Sequence, residues 1–263
     1  MPPSTATLRP DPPLDQEGVD KSGDRVQKMF GEIAPRYDLL NHLLSMNVDR
    51  YWRWRTVRIV PPQTTGAMAG AAVLDLCTGT GDLALAYYRS AQGKLPVVGA
   101  DFCPEMLELA ERKGIAVQRS VKQATPALLE WHQADVQQLP FPTDSYQIVS
   151  VAFGLRNVAD TDRGLAEMVR VCRPGGQVAV LEFTTPRRQP LKTIYGLYFR
   201  HVLPRIGQFV MRNQSAAYEY LPQSVGEFLQ YEQLAERMEQ AGLRNVKFHP
   251  LTFGLATLYV GEK

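Results

Sequence analysis

The chain has 263 residues, which fits one large α/β domain or two small ones, and its 44% hydrophobic content supports a full core. Its 29 lysines and arginines nearly balance its 27 acids, so the net charge of +2 gives no case for a nucleic-acid-binding protein. The three cysteines match no zinc-binding or disulfide pattern, and no apolar run reaches the roughly 20 residues of a membrane span. We expect a cytoplasmic protein with no bound metal.

Residues 1–22 combine many prolines and acids with few side chains that could pack, which predicts a disordered tail. Residues 23–60 then show helical spacing of apolar side chains, first from Val26 to Ile33. This aromatic, leucine-rich segment is either a packing extension of the core or a lid over an apolar substrate pocket. Residues 23–263 are expected to form a single domain.

A strand, a glycine turn and a helix follow. Val73–Leu76 is a short apolar run typical of a buried parallel strand. Gly79 and Gly81 form a turn whose backbone angles favour glycine, and Asp82 is predicted to be the N-cap of the next helix. This arrangement is the front of a βαβ unit, where such folds hold a ligand.

The charges of this turn separate two ligand classes. Gly79-x-Gly81-x-x-Ala84 formally fits a dinucleotide fingerprint, but Asp75 ends the strand and Asp82 opens the helix. A carboxylate ~4 Å from a phosphate at an effective dielectric of ~20 costs about 4 kcal/mol per charge pair. The same acids would attract S-adenosylmethionine, which carries an ammonium and a sulfonium and no phosphate. We therefore predict a site for this cofactor at Asp75, Gly79 and Gly81; the alternative is a tight turn with incidental acids.

Two further acids stand at predicted strand ends. The second strand ends at Asp101, about 20 residues past the turn, where an acid can accept both ribose hydroxyls. The alternative role of Asp101 is an ordinary N-cap, because Pro104 starts a helix right behind it. The third strand, Trp131–Asp135, puts Asp135 beside the adenine or, alternatively, in a surface turn. Residues 120–130 are interpreted as an insertion with a short helix after Pro126.

The fourth strand, Gln147–Phe153, delivers Gly154, Arg156 and Asn157 at its carboxyl end, where ligands bind in open α/β sheets. We therefore predict that the catalytic residues lie at this end of the strand. The helix Asp162–Val171 and the fifth strand Gln177–Glu182 follow.

Residues 184–225 do not continue the alternation of strands and helices. They are either a core helix pair or a second wall of the substrate pocket, a substrate cap that rests on a membrane surface through aromatic and basic side chains. Glu227–Gly242 is then predicted as an amphipathic helix that stops at Gly242. Asn245–His249 and Leu255–Val260 are expected to be an antiparallel strand pair.

This order of elements resembles the class I S-adenosylmethionine-dependent methyltransferase fold, an α/β fold with a mainly parallel sheet and an antiparallel C-terminal hairpin. The match to a family is closer still. The chain is similar to the quinone-biosynthesis C-methyltransferases in the stretches KMFGEIAPRYDLLNHLLSMNVDRYWR, VLDLCTGTGDLA, LPFPTDSYQIV, FGLRNVAD and RVCRPGGQVAVLEF. Its ending, LTFGLATLYVGEK, is more similar to the branch that acts on demethylphylloquinone.

The resemblance implies cofactor contacts at Thr80, Asp101, Ala134 and Asp135. The family usually has a serine directly before the FGLRN phenylalanine, and this chain has Ala152, so that hydroxyl contact is absent.

The resemblance also implies a reaction, the methylation of a ring carbon of a reduced quinol. Arg156 can provide positive charge for the substrate oxygen, and Asn157 can orient that oxygen or a water that acts as base. Tyr37 and Asp38 are weaker candidates for proton handling. The expected substrate is a lipophilic quinol, demethylphylloquinol, and peripheral membrane contact is expected.

Other functions stay open at this point. Demethylmenaquinol or a benzoquinol precursor of ubiquinone is the nearest alternative substrate. A methyltransferase for a soluble small molecule, a nucleotide-binding oxidoreductase and a plain binding module are more distant alternatives. The sequence leaves the oligomeric state open, a homo-oligomer included.

Overall fold

A computed structural model of the chain describes residues 23–34, 37–197 and 223–263. The strands are β1 (Ala72–Leu76), β2 (Val97–Asp101), β3 (Leu129–Gln133), β4 (Tyr146–Ala152), β5 (Cys172–Phe183), β6 (Arg244–Leu251) and β7 (Ala256–Glu262). The helices are α1 (Gly23–Ile33), α2 (Tyr37–Leu44), α3 (Val48–Ile59), α4 (Asp82–Ser90), α5 (Pro104–Ser120), α6 (Thr161–Val171), α7 (Leu191–Leu197) and α8 (Glu232–Gln240), with a short helical turn at 223–227.

The seven strands form one sheet in the order β3-β2-β1-β4-β5-β7-β6. The first five in that order run parallel, whereas β7 is antiparallel to both of its neighbours. This confirms the predicted α/β fold with a mainly parallel sheet and an antiparallel C-terminal pair. The strand order changes direction between β1 and β4, so the carboxyl ends of these two strands mark the switch point at which such sheets bind ligands.

Helices cover both faces of the sheet. The side chains of β1 and β4 are almost all buried, as the central strands of a parallel sheet require. Helices α3, α4 and α5 pack on one face through side chains such as Trp52, Leu85 and Val117. Helices α6 and α8 pack on the other face through Leu165 and Met238.

The prediction of a helix after Pro126 was wrong, because the structure has no helix between α5 and β3. Helix α5 continues to Ser120, and β3 begins at Leu129, two residues before the predicted strand, where it pairs with Val97 of β2. The amide of Ala127 donates to the carbonyl of Gly93 at 2.8 Å, which ties this stretch to the loop before β2. The hydrogen bond to a distant loop therefore overrides the local preference for a helix after proline.

The predicted helix Glu227–Gly242 is also interrupted. The helical conformation is interrupted at Tyr231, which has a φ of 53°, and α8 begins only at Glu232. The amide of Tyr231 donates to the phenol oxygen of Tyr259 in β7 at 2.6 Å instead of to a carbonyl one turn earlier. The end of the helix is confirmed, because Gly242 follows it with a φ of 105°, a conformation that favours glycine.

Two predicted segments fall wholly or partly outside the described residues, namely the tail 1–22 and, within 184–225, residues 198–222. Among the helices of the described ranges, none has the length and apolar character needed to cross a bilayer. Elsewhere, β4 starts and ends one residue earlier than predicted, whereas β5 starts five residues earlier, at Cys172.

Helix α3 is an integral part of this core. Trp52 is 3% exposed, and its ring nitrogen donates to the hydroxyl of Thr252 at 2.8 Å. The ring centroid of Trp52 lies 5.8 Å from that of Phe153 and 5.9 Å from that of Phe183. Trp54, two residues further on, is 50% exposed. The same helix therefore carries one tryptophan that packs and one that does not.

Trp52→Ala is expected to lower the free energy of unfolding by about 3–5 kcal/mol, because it leaves a cavity between α3 and the sheet. Trp54→Ala is the matched control and should change it by less than about 0.5 kcal/mol. Urea denaturation followed by circular dichroism measures both. Equal effects of the two substitutions would contradict the packing of α3 described above.

Candidate functional site

A pocket opens at the switch point, at the carboxyl ends of β1, β2 and β4. Of the twelve residues predicted for the site, seven line it: Tyr37, Gly79, Asp101, Ala134, Asp135, Ala152 and Asn157. Five do not line it: Asp38, Asp75, Thr80, Gly81 and Arg156. Apolar side chains that the sequence did not single out, among them Phe30, Met106 and Phe153, complete the walls.

Asp75 lies beneath the glycine turn rather than along the pocket. Its carboxylate is 2% exposed and accepts hydrogen bonds from the hydroxyls of Thr78 at 2.6 Å and Ser150 at 2.7 Å. It also accepts from the amide of Ala84 in the first turn of α4 at 3.2 Å. One buried side chain thus joins the turn, the helix and the neighbouring strand. It occupies an amide at the helix N-terminus that a bound phosphate would otherwise use.

Asp82 is not the N-cap that the sequence predicted. The N-cap of α4 is Gly81, with a φ of 84°, and Asp82 is the first helical residue. Its carboxylate forms an ion pair with Lys113 of α5 and lies 3.7 Å from the guanidinium of Arg53. Burial opposes ionisation, but these two cations hold the pKa of Asp82 below its usual value. The negative charge that the sequence argument directed at the ligand is therefore largely compensated by protein cations.

Asp101 and Asp135 are the acids that do line the pocket. The Asp101 carboxylate accepts from the amide of Gly79 at 2.7 Å and from that of Cys103 at 2.9 Å. Burial raises its pKa. The alternative role of Asp101 as an ordinary N-cap does not hold, because Cys103 occupies the N-cap position of α5. Asp135 accepts from the amide of Gln137 at 2.8 Å, just beyond the end of β3.

The turn after β4 is closely packed against the turn after β1. Phe153 has a φ of 59°, which is uncommon for a residue with a large side chain and is found most often at functional sites. A Cβ on Gly154 would overlap that of Cys77, so only glycine fits between the two turns. Burial raises the pKa of the Cys77 thiol well above its usual value, which keeps the thiol protonated at neutral pH.

Arg156 is buried beside the pocket and paired. Its guanidinium lies 3.0 Å from the carboxylate of Glu182 in β5, donates to the carbonyl of Phe153, and is 5.3 Å from the centroid of the Phe183 ring. The Nε–H of Arg156 and the Oδ1 of Asn157 are buried and have no hydrogen-bond partner among the described residues. An unpaired buried polar group costs roughly 1–3 kcal/mol. Of the two residues, Asn157 lines the pocket and Arg156 does not.

A polar cluster fastens helix α2 to the glycine turn. The Thr80 hydroxyl donates to Asp38 at 2.5 Å, and Nζ of Lys113 donates to Thr80 at 2.9 Å and to Asp38 at 3.0 Å. As a result Tyr37 lies over the turn, where a Cβ on Gly79 would be 3.6 Å from its ring. Burial raises the pKa of Tyr37.

The sequence reasoning missed Lys113 and Glu182. Glu182 carried a signal, because it is an acid inside an otherwise apolar strand and must find a partner when buried. Lys113 carried none, because a lysine on a helix is usually solvated and only the tertiary structure brings it beside Thr80.

Comparison with known proteins agrees with this geometry. The model of the ubiE/COQ5 methyltransferase family matches residues 19–263. The ubiquinone/menaquinone biosynthesis C-methyltransferase UbiE of Geobacter sulfurreducens is 42% identical over 245 residues, which are 93% of this chain and 91% of that protein. The demethylmenaquinone methyltransferase of Deinococcus radiodurans is 44% identical over 241 residues, which are 92% of this chain and 93% of that protein.

A solved structure resembles the fold. A SAM-dependent methyltransferase from Thermotoga maritima superposes with a TM-score of 0.60 over 90% of this chain and 99% of that one, at 16% sequence identity. At that identity the likeness concerns the fold alone.

The buried carboxyl of Asp75 should make stability depend on pH. Burial raises its pKa to about 6, whereas an unfolded aspartate titrates near 3.9. Between roughly pH 4 and 6 the folded state holds a proton that the unfolded state has lost, so the free energy of unfolding falls as pH rises, by about 3 kcal/mol.

Urea denaturation at half-unit steps between pH 4 and 7 measures this dependence. Asp75→Asn should flatten the curve relative to the wild type, and Glu108→Gln, at a side chain that is 70% exposed, should leave it unchanged. A curve for Asp75→Asn that parallels the wild type would show that Asp75 does not titrate in this window.

Lys113→Met should loosen α2 from the glycine turn. Loss of about 1 kcal/mol of local stability corresponds to roughly fivefold faster amide exchange in residues 37–44. Arg112→Met is the matched control, because the Arg112 side chain is 74% exposed and its ion pair is with Glu108, at 3.9 Å, rather than with a member of this cluster. Hydrogen–deuterium exchange measures both, and identical exchange in the two variants would refute the role given to Lys113.

Proposed function

This chain belongs to the ubiE/COQ5 methyltransferase family, and from that premise we propose that it methylates a ring carbon of a prenylated naphthoquinol. It is an S-adenosylmethionine-dependent methyltransferase of the class I fold. The single observation that carries the proposal is the pair of buried unpartnered atoms, Nε of Arg156 and Oδ1 of Asn157, beside a pocket with apolar walls. They suit a substrate that is apolar except for ring oxygens.

The residues at the turn fit the cofactor. Asp101 and Asp135 offer acceptor oxygens along the pocket, and each carboxylate has lone pairs beyond those already used. Gly79 brings backbone to the pocket wall without a side chain. Asp75 blocks the amide at which a pyrophosphate would bind. In our proposal Thr80, Gly81, Ala134 and Ala152 shape the same site.

When bound, the cofactor supplies an electrophilic methyl group on a sulfonium. The chain's part is to prepare the acceptor. A quinol ring carbon becomes nucleophilic when a ring hydroxyl loses its proton, and the Nε–H of Arg156 would then hold the oxygen that has become negative. Oδ1 of Asn157 would accept a hydrogen bond from that hydroxyl or from a water that acts as base.

Glu182 fixes Arg156 for this role. Its carboxylate binds the guanidinium and also accepts from the amide of Arg156 at 3.2 Å, so the side chain has little freedom. A preorganised donor does not need to reorient as charge develops. Glu182 is thus a positioning residue in this proposal.

The N-terminal helices complete the pocket. Phe30 and Tyr37 line it from α1 and α2, and Asp38 joins α2 to the glycine turn. We propose that residues 23–60 form a lid in which α1 and α2 cover the pocket and α3 is the fixed base, and that residues 184–225 form the substrate cap. Tyr37 is a candidate for proton transfer during the reaction, with its phenol protonated at rest.

The finer choice of substrate rests on resemblance. The C-terminal stretch from Leu251 to Lys263 favours demethylphylloquinol as the acceptor, and the Deinococcus relative is named for demethylmenaquinone. The two acceptors share the naphthoquinol ring and differ in the prenyl chain. Since both are lipophilic, peripheral contact with a membrane is part of the proposal.

Arg156→Lys keeps a positive charge beside Glu182 but removes the Nε–H. We expect kcat to fall at least about 100-fold, in the range lost with one oxyanion donor, while the Kd of S-adenosylhomocysteine changes less than about threefold. Arg156→Ala is a poorer test, because an unpaired buried Glu182 costs about 3–5 kcal/mol of stability. Isothermal titration and steady-state kinetics separate the two effects. A large loss of cofactor affinity would show that Arg156 contributes to cofactor binding.

Competition between reduced demethylphylloquinone and reduced demethylmenaquinone tests the substrate, with product detected by mass spectrometry. We expect methylation of both and a higher kcat/KM for the phytyl compound. A soluble catechol and 2-polyprenyl-6-methoxybenzoquinol are the controls. Methylation of the catechol alone would overturn the quinol assignment, and preference for the benzoquinol would place the enzyme in a ubiquinone route.

A further inference from the structure

Helix α3 has two chemically distinct faces. Its inner face carries the buried side chains Asp49, Trp52 and Thr56. Its outer face carries exposed side chains, which at 100° per residue fall within about 100° of the helix circumference: Arg50, Tyr51, Trp54 and Arg58. We call these four residues the outer α3 face.

The apolar members of this face form a contiguous patch. The ring centroids of Tyr51 and Trp54 are 5.9 Å apart, and the guanidinium of Arg58 lies 5.4 Å from the Trp54 ring. The described residues include eight exposed large hydrophobic side chains; two of them, Tyr51 and Trp54, fall on this face, and a third, Met46, lies two residues before the helix. Single exposed apolar residues are ordinary, but a cluster of this kind marks an interaction surface.

The charge of the outer α3 face has one sign. Helix α3 contains four arginines and a single acid, Asp49, which is buried and pairs inward with Arg53 and His42. Neither Arg50 nor Arg58 forms an ion pair with any residue that the structure describes. Since the whole chain has a net charge of only +2, this face concentrates positive charge beside exposed aromatic rings.

This combination suits one partner. Tryptophan and tyrosine prefer the headgroup level of a bilayer, and arginines bind the phosphates of anionic lipids. An acidic protein would satisfy the arginines, but the two rings between them favour a surface with an apolar layer directly beneath its charges. The outer face carries no acid that a negatively charged bilayer would repel.

The helix also links this face to the pocket. On its inner side the Trp52 ring and the Arg53 guanidinium each lie 5.8 Å from the centroid of the Phe153 ring. Phe153 lines the pocket. One helix, about 10 Å across with its side chains, therefore separates the outer α3 face from the pocket wall.

We propose that the outer α3 face docks the enzyme on an anionic lipid bilayer, with Tyr51 and Trp54 at headgroup level and Arg50 and Arg58 on lipid phosphates. The biological reason for docking rests on the proposed function, since a prenylated acceptor dissolves in the bilayer. Lipid binding itself is a separate property and is measured without the reaction.

Flotation of the full chain with vesicles tests the proposal. We expect binding to vesicles of phosphatidylcholine with 30% phosphatidylglycerol, weak binding to pure phosphatidylcholine, and release by 0.5 M NaCl. Tyr51→Ala with Trp54→Ala, and separately Arg50→Glu with Arg58→Glu, should each lower the partition coefficient at least about tenfold. Arg112→Glu with Ile115→Ala is the control on exposed positions of α5 and should bind like the wild type.

Several outcomes overturn the proposal. The wild type remaining wholly unbound with anionic vesicles would do so, and so would variants of the outer α3 face that float as well as the wild type. Light scattering in which these variants convert a dimer to a monomer would show that the face contacts a second copy of the chain instead.

Activity keeps this test distinct from that of the proposed function. With a water-soluble naphthoquinol that lacks the prenyl chain, the variants should turn over like the wild type, while with the prenylated acceptor in anionic vesicles their rate should fall along with binding. Vesicle binding that depends on the outer α3 face, without methylation of any quinol, would leave the docking surface standing and refute the quinol assignment.

Discussion

The site depends on the hydrogen bonds that the carboxylate of Asp75 accepts. This carboxylate is buried at the end of the central strand and accepts hydrogen bonds from the turn, from helix α4 and from β4. Burial disfavours the charge of this carboxylate and raises its pKa. The three hydrogen bonds favour the ionised form, since each donor would otherwise be left unpaired. The glycine turn is thereby tied to α4 and to β4, and an amide that a pyrophosphate would need is already bound. One side chain thus both shapes the turn and selects against phosphate-bearing ligands.

Charge around the pocket is arranged in pairs rather than as a free negative field. Asp82 is compensated by Lys113 and Arg53, and Arg156 by Glu182. What remains along the pocket is a small set of acceptors and donors, led by Asp101, within apolar walls. This arrangement suits a reaction in which positive charge arrives with the cofactor and negative charge develops on the acceptor oxygen. Desolvated, oriented partners then contribute more than bulk charge would.

The N-terminal helices connect the pocket to the outside of the molecule in two different ways. Helix α2 is fastened to the glycine turn by a polar cluster that includes Asp38 and Lys113, so it can be released at modest cost. Helix α3 is held by a buried tryptophan and is a fixed wall. An enzyme that takes a lipophilic acceptor needs both properties, a segment that opens and a rigid surface that holds its orientation. Family membership fixes the cofactor and the class of reaction.

The sequence alone determined the chain order of the seven strands, the position of the glycine turn, and the placement of Asp101, Asp135 and Asn157 at or beyond the carboxyl ends of β2, β3 and β4. These features follow from local patterns of apolar residues and glycine. The sequence did not determine which groups the charged side chains contact. Asp75 and Asp82 looked alike beside the turn, and tertiary structure turned one beneath it and paired the other with Lys113 from another helix. The interruption of the helix at Tyr231 and the absence of a helix between α5 and β3 were decided in the same way, by hydrogen bonds to residues far along the chain. Partners brought together by folding are invisible to a local pattern, since their contribution exists only once the sheet has assembled.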